Sequence, residues 1–303
     1  MTGNDTRKGV GLMALAMAVF AVQDVISRHL AGEYNVLMVV MLRYWFFALF
    51  VLSVAARKAG GLRAAARSAQ PWVQTFRGLL LVGEICVMVV AFVHLGLVEA
   101  HAIFACYPLL VAALSGPVLG EAVGWRRWAA IGVGFIGIMV ILQPGSGVFT
   151  PSALIAMAAA LMFALYALLT RYVARADTSA TSFFYTGVAG APAITLLGMW
   201  YWEPMTPPDW GWMALLCITG AFGHFLLIKV YEAAEASAVQ PFAYLQLVFA
   251  ASLGVLILGE DLRPAVVLGV SIVVGAGLFT LWRENVARRR AISAAAAVTG
   301  GRS

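Results

Sequence analysis

The chain has 303 residues, of which 62% are Ala, Val, Ile, Leu, Met, Phe, Trp, Tyr or Cys and only 11% are charged. Counting the 30 Gly as well brings the total to roughly 72%, where soluble domains hold about 45–50% on the same count. This excludes an ordinary soluble protein and makes nucleic acid an unsuitable partner, because the net charge of +6 reads as loop charge that orients a membrane protein.

Hydropathy gives ten candidate spans. Span 1, at 10–30, follows Arg7-Lys8 and ends at Ser27-Arg28-His29 without a small-x-small cleavage pattern, so it is expected to be retained rather than removed as a signal peptide. It carries Gln23 and Asp24, and span 2, at 36–56, carries Arg43. After the longest internal connection, Arg57 to Trp72, span 3 at 73–95 holds Glu84 near its middle. Span 4, at 98–119, contains His101, Tyr107 and Pro108 and closes on Leu119-Gly120-Glu121. The GxGxxG string Gly132-Val-Gly134-Phe-Ile-Gly137 in span 5, at 126–143, follows no strand and reads as close helix packing. Span 6, at 152–174, carries Tyr166. Between span 7, at 180–201, and span 8, at 211–232, lies a loop with Trp200, Trp202, Trp210, Glu203 and Asp209. Span 8 holds His224 near Gly220 and Gly223. Span 9, at 237–258, holds Gln240, Tyr244 and Gln246 and closes on Leu258-Gly259-Glu260, before span 10 at 265–282.

Lys and Arg crowd on the side of the amino terminus, from Arg7, Lys8, Arg57, Arg63, Arg67 and Arg77 to Arg288, Arg289 and Arg290, while the other side keeps Arg28 and Arg263. Both termini are therefore expected in the cytoplasm. With so little chain outside the spans, whatever the protein does is expected to happen within the bilayer.

A polar group in hydrocarbon costs several kcal/mol unless it is partnered or faces a cavity. Asp24 lies roughly 22 Å from the inner end of span 1 and Arg43 roughly 11 Å from the outer end of span 2. Their depths agree in a core about 30 Å thick, so an Asp24–Arg43 pair is expected, with Arg28 one turn away, as a gate or a structural ion pair. Glu84 is a candidate proton or amine site, or a protonated side chain bonded to a neighbouring helix. His224 is a proton carrier or an interhelical donor, and His101 lies closer to the interface. Cys86, Cys106 and Cys217 have no metal-ligand spacing and read as apolar fillers. No P-loop or nucleophile elbow is present, so no catalytic residue, metal or cofactor is expected.

Phe20–Ala31 matches Phe163–Ala174 without a gap at an offset of 143, and Leu119-Gly120-Glu121 matches Leu258-Gly259-Glu260. The chain therefore divides into residues 1–145 with helices 1–5, residues 146–283 with helices 6–10, and a basic cytoplasmic tail at 284–303. Five is odd, so the halves are expected to be inverted repeats. The expected fold class is an all-α integral membrane protein of ten transmembrane helices in two inverted five-helix repeats around a central cavity. The repeat also pairs polar positions, Gln23 with Tyr166, Tyr107 with Gln246 and His101 with Gln240. With Tyr244, these outline a substrate pathway walled by Phe20, Phe104, Phe163 and Phe242.

The halves of five, the two Leu-Gly-Glu segments and Pro108 resemble the ten-helix, EamA-type branch of the drug/metabolite transporter superfamily over about residues 8–283, and most of all its YddG-type amino-acid exporters. The position matching Pro108 in span 9 is Leu247, which departs from a symmetric mid-helix kink. The resemblance implies a cavity lined by spans 1, 3, 4, 6, 8 and 9, with spans 5 and 10 packed to one side, in a bacterial-type inner membrane, as a monomer or homodimer. It also implies a secondary transporter that exports small neutral metabolites, amino acids or analogues. The alternatives are a broad drug or metabolite exporter and an intramembrane enzyme. An enzyme would show His, Asp or Ser clustered on one or two helices, and such a cluster is absent from the spans.

Overall fold

The computed structural model describes residues 6–57, 60–120, 125–142, 151–234 and 236–276, with isolated positions up to 286. All described elements are helical. In chain order they are α1 (Thr6–Glu33), α2 (Val36–Arg57), the short α3 (Gly61–Ala66), α4 (Pro71–Leu95), α5 (Leu97–Phe104), α6 (Tyr107–Leu119), α7 (Trp125–Leu142), α8 (Pro151–Val173), α9 (Ser179–Gly198), α10 (Pro207–Ala233), α11 (Ala236–Leu258) and α12 (Pro264–Ala276).

Among the described residues, seven stretches are long and apolar enough to cross a membrane: α1, α2, α4, α5 with α6, α8, α9 and α10. Three shorter apolar helices, Ile131–Ile141, Phe242–Leu258 and Pro264–Ala276, fall on expected spans 5, 9 and 10. The starts of these elements follow from local chemistry. Proline opens α4 and α10, where a missing N–H loses no helical bond. The Thr178 hydroxyl caps α9 by accepting from the Thr181 N–H at 3.2 Å.

Expected span 4 is two helices. Pro108 has no N–H to give to the carbonyl of Phe104, so the chain leaves α5 through a tight turn in which Cys106 N–H donates to Ile103 O at 3.1 Å, and α6 starts anew at Tyr107. With Leu247 at the matching position, α11 runs unbroken.

Contacts between helix ends fix the directions. At the end that carries Thr6, a Cβ on Gly9 would lie 2.5 Å from the Cβ of Ala234, and Arg171 and Arg175 donate to the carbonyls of Tyr231 and Leu119, both at 3.0 Å. At the other end, Asp209 accepts from the Tyr34 hydroxyl at 2.7 Å, and Glu260 accepts from the Leu97 and Val98 N–H groups, both at 2.8 Å. Helix α1 thus leaves the end at which α8 arrives, so the helices with the matching segments 20–31 and 163–174 are antiparallel. Helix α1 packs chiefly on α10 and α11, α4 on α8 and α9, and α2 on α9 and α10. Helices α7 and α12 meet each other through glycine, since a Cβ on Gly137 would lie 2.7 Å from the carbonyl oxygen of Gly269.

The interior is a nearly continuous apolar cluster. Trp72, Trp125, Trp128, Trp200, Trp202, Trp210 and Trp212 are exposed at the helix ends, as amphipathic rings at the headgroup level are. Arg77 corrects the expectation of an inner-side loop cation. It lies one and a half turns into α4 and is 0% exposed. The boundary at 145/146, the tail at 284–303 apart from position 286, Glu121 and the side chain of Gln240 lie outside the described residues.

Candidate functional site

Four α1 side chains, Phe20, Gln23, Asp24 and Ser27, share one helical face and open on a cavity inside the bundle. Arg43 of α2, Glu84, Met88 and Phe92 of α4, His101 and Phe104 of α5, Phe163 of α8, His224 of α10 and Gln246 of α11 complete most of its wall. The volume open to water is about 40 Å³. That holds a few water molecules and falls far below the roughly 300 Å³ or more of a ligand pocket, so this conformation is closed around its polar centre. A roomier crevice of about 300 Å³, between α6, α7 and α8, is lined by Leu109, Ile131, Phe135, Leu154 and similar side chains. It offers almost no polar surface to a solute.

Asp24 is the hub. Its Oδ2 contacts His101 Nε2 at 3.0 Å and accepts from Gln246 Nε2 at 2.9 Å, and its Oδ1 accepts from Gln23 Nε2 at 3.2 Å. One carboxylate therefore joins α1, α5 and α11. The expected Asp24–Arg43 pair does not form. Arg43 Nη2 donates instead to Gln23 Oε1 at 3.0 Å, so the glutamine amide stands between the two charges. A Cβ on Gly220 of α10 would lie 2.6 Å from Arg43 Nε, so the missing side chain there leaves the guanidinium the place from which it reaches Gln23. Arg28 is the second correction. At 100° per residue the four lining positions occupy an arc of about 100° ending at Asp24, and Arg28 falls about 40° beyond it. It is half-buried and does not line the cavity.

Glu84 is 4% exposed and lines the cavity, with no hydrogen bond or ion pair to any described residue. His224 stands between rings, 5.1 Å from Phe20 and 5.9 Å from Tyr166 by centroids, with its Nδ1 unpartnered. Tyr107, Tyr244 and Gln246 line a hollow of about 10 Å³ beside the main cavity, and Tyr107 meets Phe163 edge to face at 4.9 Å. The Tyr244 hydroxyl and Gln246 Oε1 have no partner among the described residues. Tyr166 is outside the lining; its ring lies under the Arg77 guanidinium, 5.2 Å from its centroid.

Arg77 centres a network that sequence reasoning missed. Its Nε and Nη2 donate to Gln74 Oε1, its Nη1 to Thr170 Oγ1, and its Nη2 also to Ser182 O and Thr186 Oγ1, all between 2.6 and 3.2 Å. This holds α4, α8 and α9 together. The recurrence of polar residues at 74 and 77, and at 182 and 186, was the available signal, one helical turn apart in each case. The network reaches the surface through Gln74 Nε2, which donates to Asp177 Oδ2 at 2.9 Å. Asp177 lies in the α8–α9 connection. Burial alone would push its carboxyl up, but donors from Ser68, Gln74 and the Ala69 N–H outweigh that and hold it below the usual carboxylate range. No group of three potential metal ligands occurs among the described residues.

The chain matches the model of the EamA-like transporter family twice, at residues 7–143 and 150–282. The chain belongs to that family. It is a multi-pass membrane protein of a family that transports small metabolites. It is 27% identical to an S-adenosylmethionine uptake transporter of Rickettsia prowazekii over 91% of this chain and 93% of that protein. It is 26% identical to a riboflavin transporter of Vibrio cholerae over 93% and 96%, and 24% identical to the pseudopaline exporter CntI of Pseudomonas aeruginosa over 84% and 89%. It also shares its fold with a crystal structure, at a TM-score of 0.64 and 17% identity, over 90% of this chain and 94% of the other.

Proposed function

We propose that this chain is a secondary transporter of small zwitterionic metabolites that carry an apolar or aromatic body, working by alternating access through the cavity around Asp24. Neutral and aromatic amino acids, and solutes such as S-adenosylmethionine with an amino-acid end and a heteroaromatic ring, fit that class. The observation that carries the reading is the cavity's own chemistry. Arg43 and the carboxyls of Asp24 and Glu84 open on one space without an ion pair joining them, beside the rings of Phe20, Phe92, Phe104 and Phe163. A solute carboxylate has Arg43 to pair with, and an ammonium has Asp24 or Glu84. The rings supply the apolar wall.

Ten spans, in two inverted halves with both termini in the cytoplasm, complete the reading. Antiparallel α1 and α8 and the pair of family matches support it. Export is the direction we assign for amino acids. A carrier of this kind is reversible, so the gradients set its net direction.

Counterflow with purified protein in liposomes tests the proposal, using labelled L-phenylalanine, S-adenosylmethionine and riboflavin, the last of which has neither ammonium nor carboxylate. Saturable counterflow of a zwitterion above empty liposomes is expected, falling at least tenfold in Arg43→Gln. Transport of riboflavin or a nucleotide with no zwitterion carried overturns it.

A further inference from the structure

Arg77 is a buried cation whose acceptors are all neutral. Among the described residues its guanidinium bonds to Gln74 Oε1, Thr170 Oγ1, Ser182 O and Thr186 Oγ1 and meets no carboxylate. A cation inside a membrane bundle without an anion is costly, and such residues mark solute pathways. Its position supplies the path. On α4, Arg77 lies two turns from Glu84, which opens on the cavity, within about 20° of the same face and about 10 Å nearer the end that carries Thr6. On α8, Thr170 stands in the same relation to Phe163. Arg77 and Thr170 therefore continue two walls of the cavity toward that end. One ring parts the two spaces. Tyr166 meets the cavity residue His224 edge to face at 5.9 Å and has the Arg77 guanidinium 5.2 Å from its centroid, and its buried hydroxyl has no hydrogen-bond partner among the described residues. We propose that Arg77 and the Tyr166 hydroxyl form a second binding station, which takes the solute's carboxylate from Arg43 when the cavity opens toward the end that carries Thr6.

The inference rests on the reading of the cavity as the transport site and adds where the solute goes next. Gln74 and Thr170 hold the place of the carboxylate between cargoes. A carboxylate bonds to a guanidinium more strongly than an amide or a hydroxyl does, because both partners are charged and two parallel bonds form. It therefore displaces Gln74 Oε1 and Thr170 Oγ1, while Nη2 stays anchored to Ser182 O and Thr186 Oγ1 on α9. The Tyr166 hydroxyl turns to donate to the same carboxylate. Loss of the bond to Thr170 parts α4 from α8 at that level, so arrival of the solute loosens the helices that close its exit. Hydrogen bonds exchange and no covalent bond changes.

Two measurements test this, with L-phenylalanine and S-adenosylmethionine as zwitterions and L-phenylalanine amide, which lacks the carboxylate, as control. In wild-type proteoliposomes, phenylglyoxal should modify Arg77, located by mass spectrometry, once turnover exposes a side chain that is 0% exposed in the closed form. Either zwitterion should slow that modification at least tenfold, and the amide should not. In oriented vesicles, Arg77→Gln should raise the half-saturation of a zwitterion at the cytoplasmic face at least tenfold and at the outer face less than twofold, with Arg77→Lys recovering part of the loss. A tie that served structure alone would move both faces alike. Counterflow of a zwitterion that leaves Arg77 unmodified or unprotected, protection by the amide, or an equal change at both faces overturns the inference and leaves the transport reading intact. If Arg77→Gln does not fold, the labelling of the wild type decides. If neither zwitterion is carried, the transport reading fails and this station with it.

Discussion

Gln23 is uncharged, yet it is the only described hydrogen-bond link between the cavity's guanidinium and its hub carboxylate, with Arg43 on its oxygen and Asp24 Oδ1 on its nitrogen. Gln23→Leu keeps the volume and removes both bonds, leaving Arg43 without a described partner. Losing a hydrogen bond to a buried charge costs about 1–3 kcal/mol, so transport is expected to fall by about one to two orders of magnitude, read as initial rate per protein in the membrane. Gly220→Ala makes the complementary change by driving a Cβ toward Arg43 Nε. It is expected to raise the half-saturation of zwitterions while leaving riboflavin, if carried, unaffected. The hub residues were legible in the sequence because lipid makes every polar letter in a span an exception. Their pairing was not. Depth alone put Asp24 opposite Arg43, whereas a glycine on α10 and the rotation of α1 decide which atoms meet.

At the level of elements, α5 and α6 show what proline changes. Pro108 divides the expected span and leaves α5 short, with His101 one turn from its start. Pro108→Ala restores an N–H to the Phe104 carbonyl and is expected to raise the melting temperature while slowing transport, because a continuous helix resists the movement of α5 past α1. A second device holds the same helix. Glu260 accepts two N–H bonds at the start of α5, and Gly96, with φ of 80°, leaves room for it, since a Cβ there would lie 3.1 Å from Oε1. Glu260→Ala removes a cap worth about 0.5–2 kcal/mol, so a melting point lower by several degrees is expected in detergent. A kink at Pro108 and the match between the Leu-Gly-Glu segments could be read from the sequence, whereas the division of that span into two helices could not. That Glu260 caps a helix of the other half could not, because it depends on which ends meet in space.

For the whole molecule, the two ends of the bundle are held differently. The end carrying Thr6 is tied by Asp177 to Ser68, Ala69 and Gln74, and through Gln74 to buried Arg77. Because the folded carboxyl of Asp177 is held below its unfolded value of about 3.9, its stabilising contribution is full at neutral pH and is lost as pH falls below about 4 through the folded value. Asp177→Asn should therefore melt below wild type at pH 7, and the difference should shrink as pH falls below about 4. The seven long apolar stretches found among the described residues, and the tryptophans at helix ends, were visible in the sequence because a bilayer demands long apolar runs with amphipathic rings at their edges. Arg77 was hidden, because a cation near a helix start looks the same in sequence whether it points to water or into three helices.

The small closed volume bears on more than solute binding. A bilayer core is about 30 Å thick, and an unloaded carrier must not become a short circuit for the ion gradients stored across it. The roughly 40 Å³ at the centre holds too few waters to form a wire through that thickness. A protein held in this conformation is therefore expected to leak no ions across a bilayer, which ion flux from empty proteoliposomes measures.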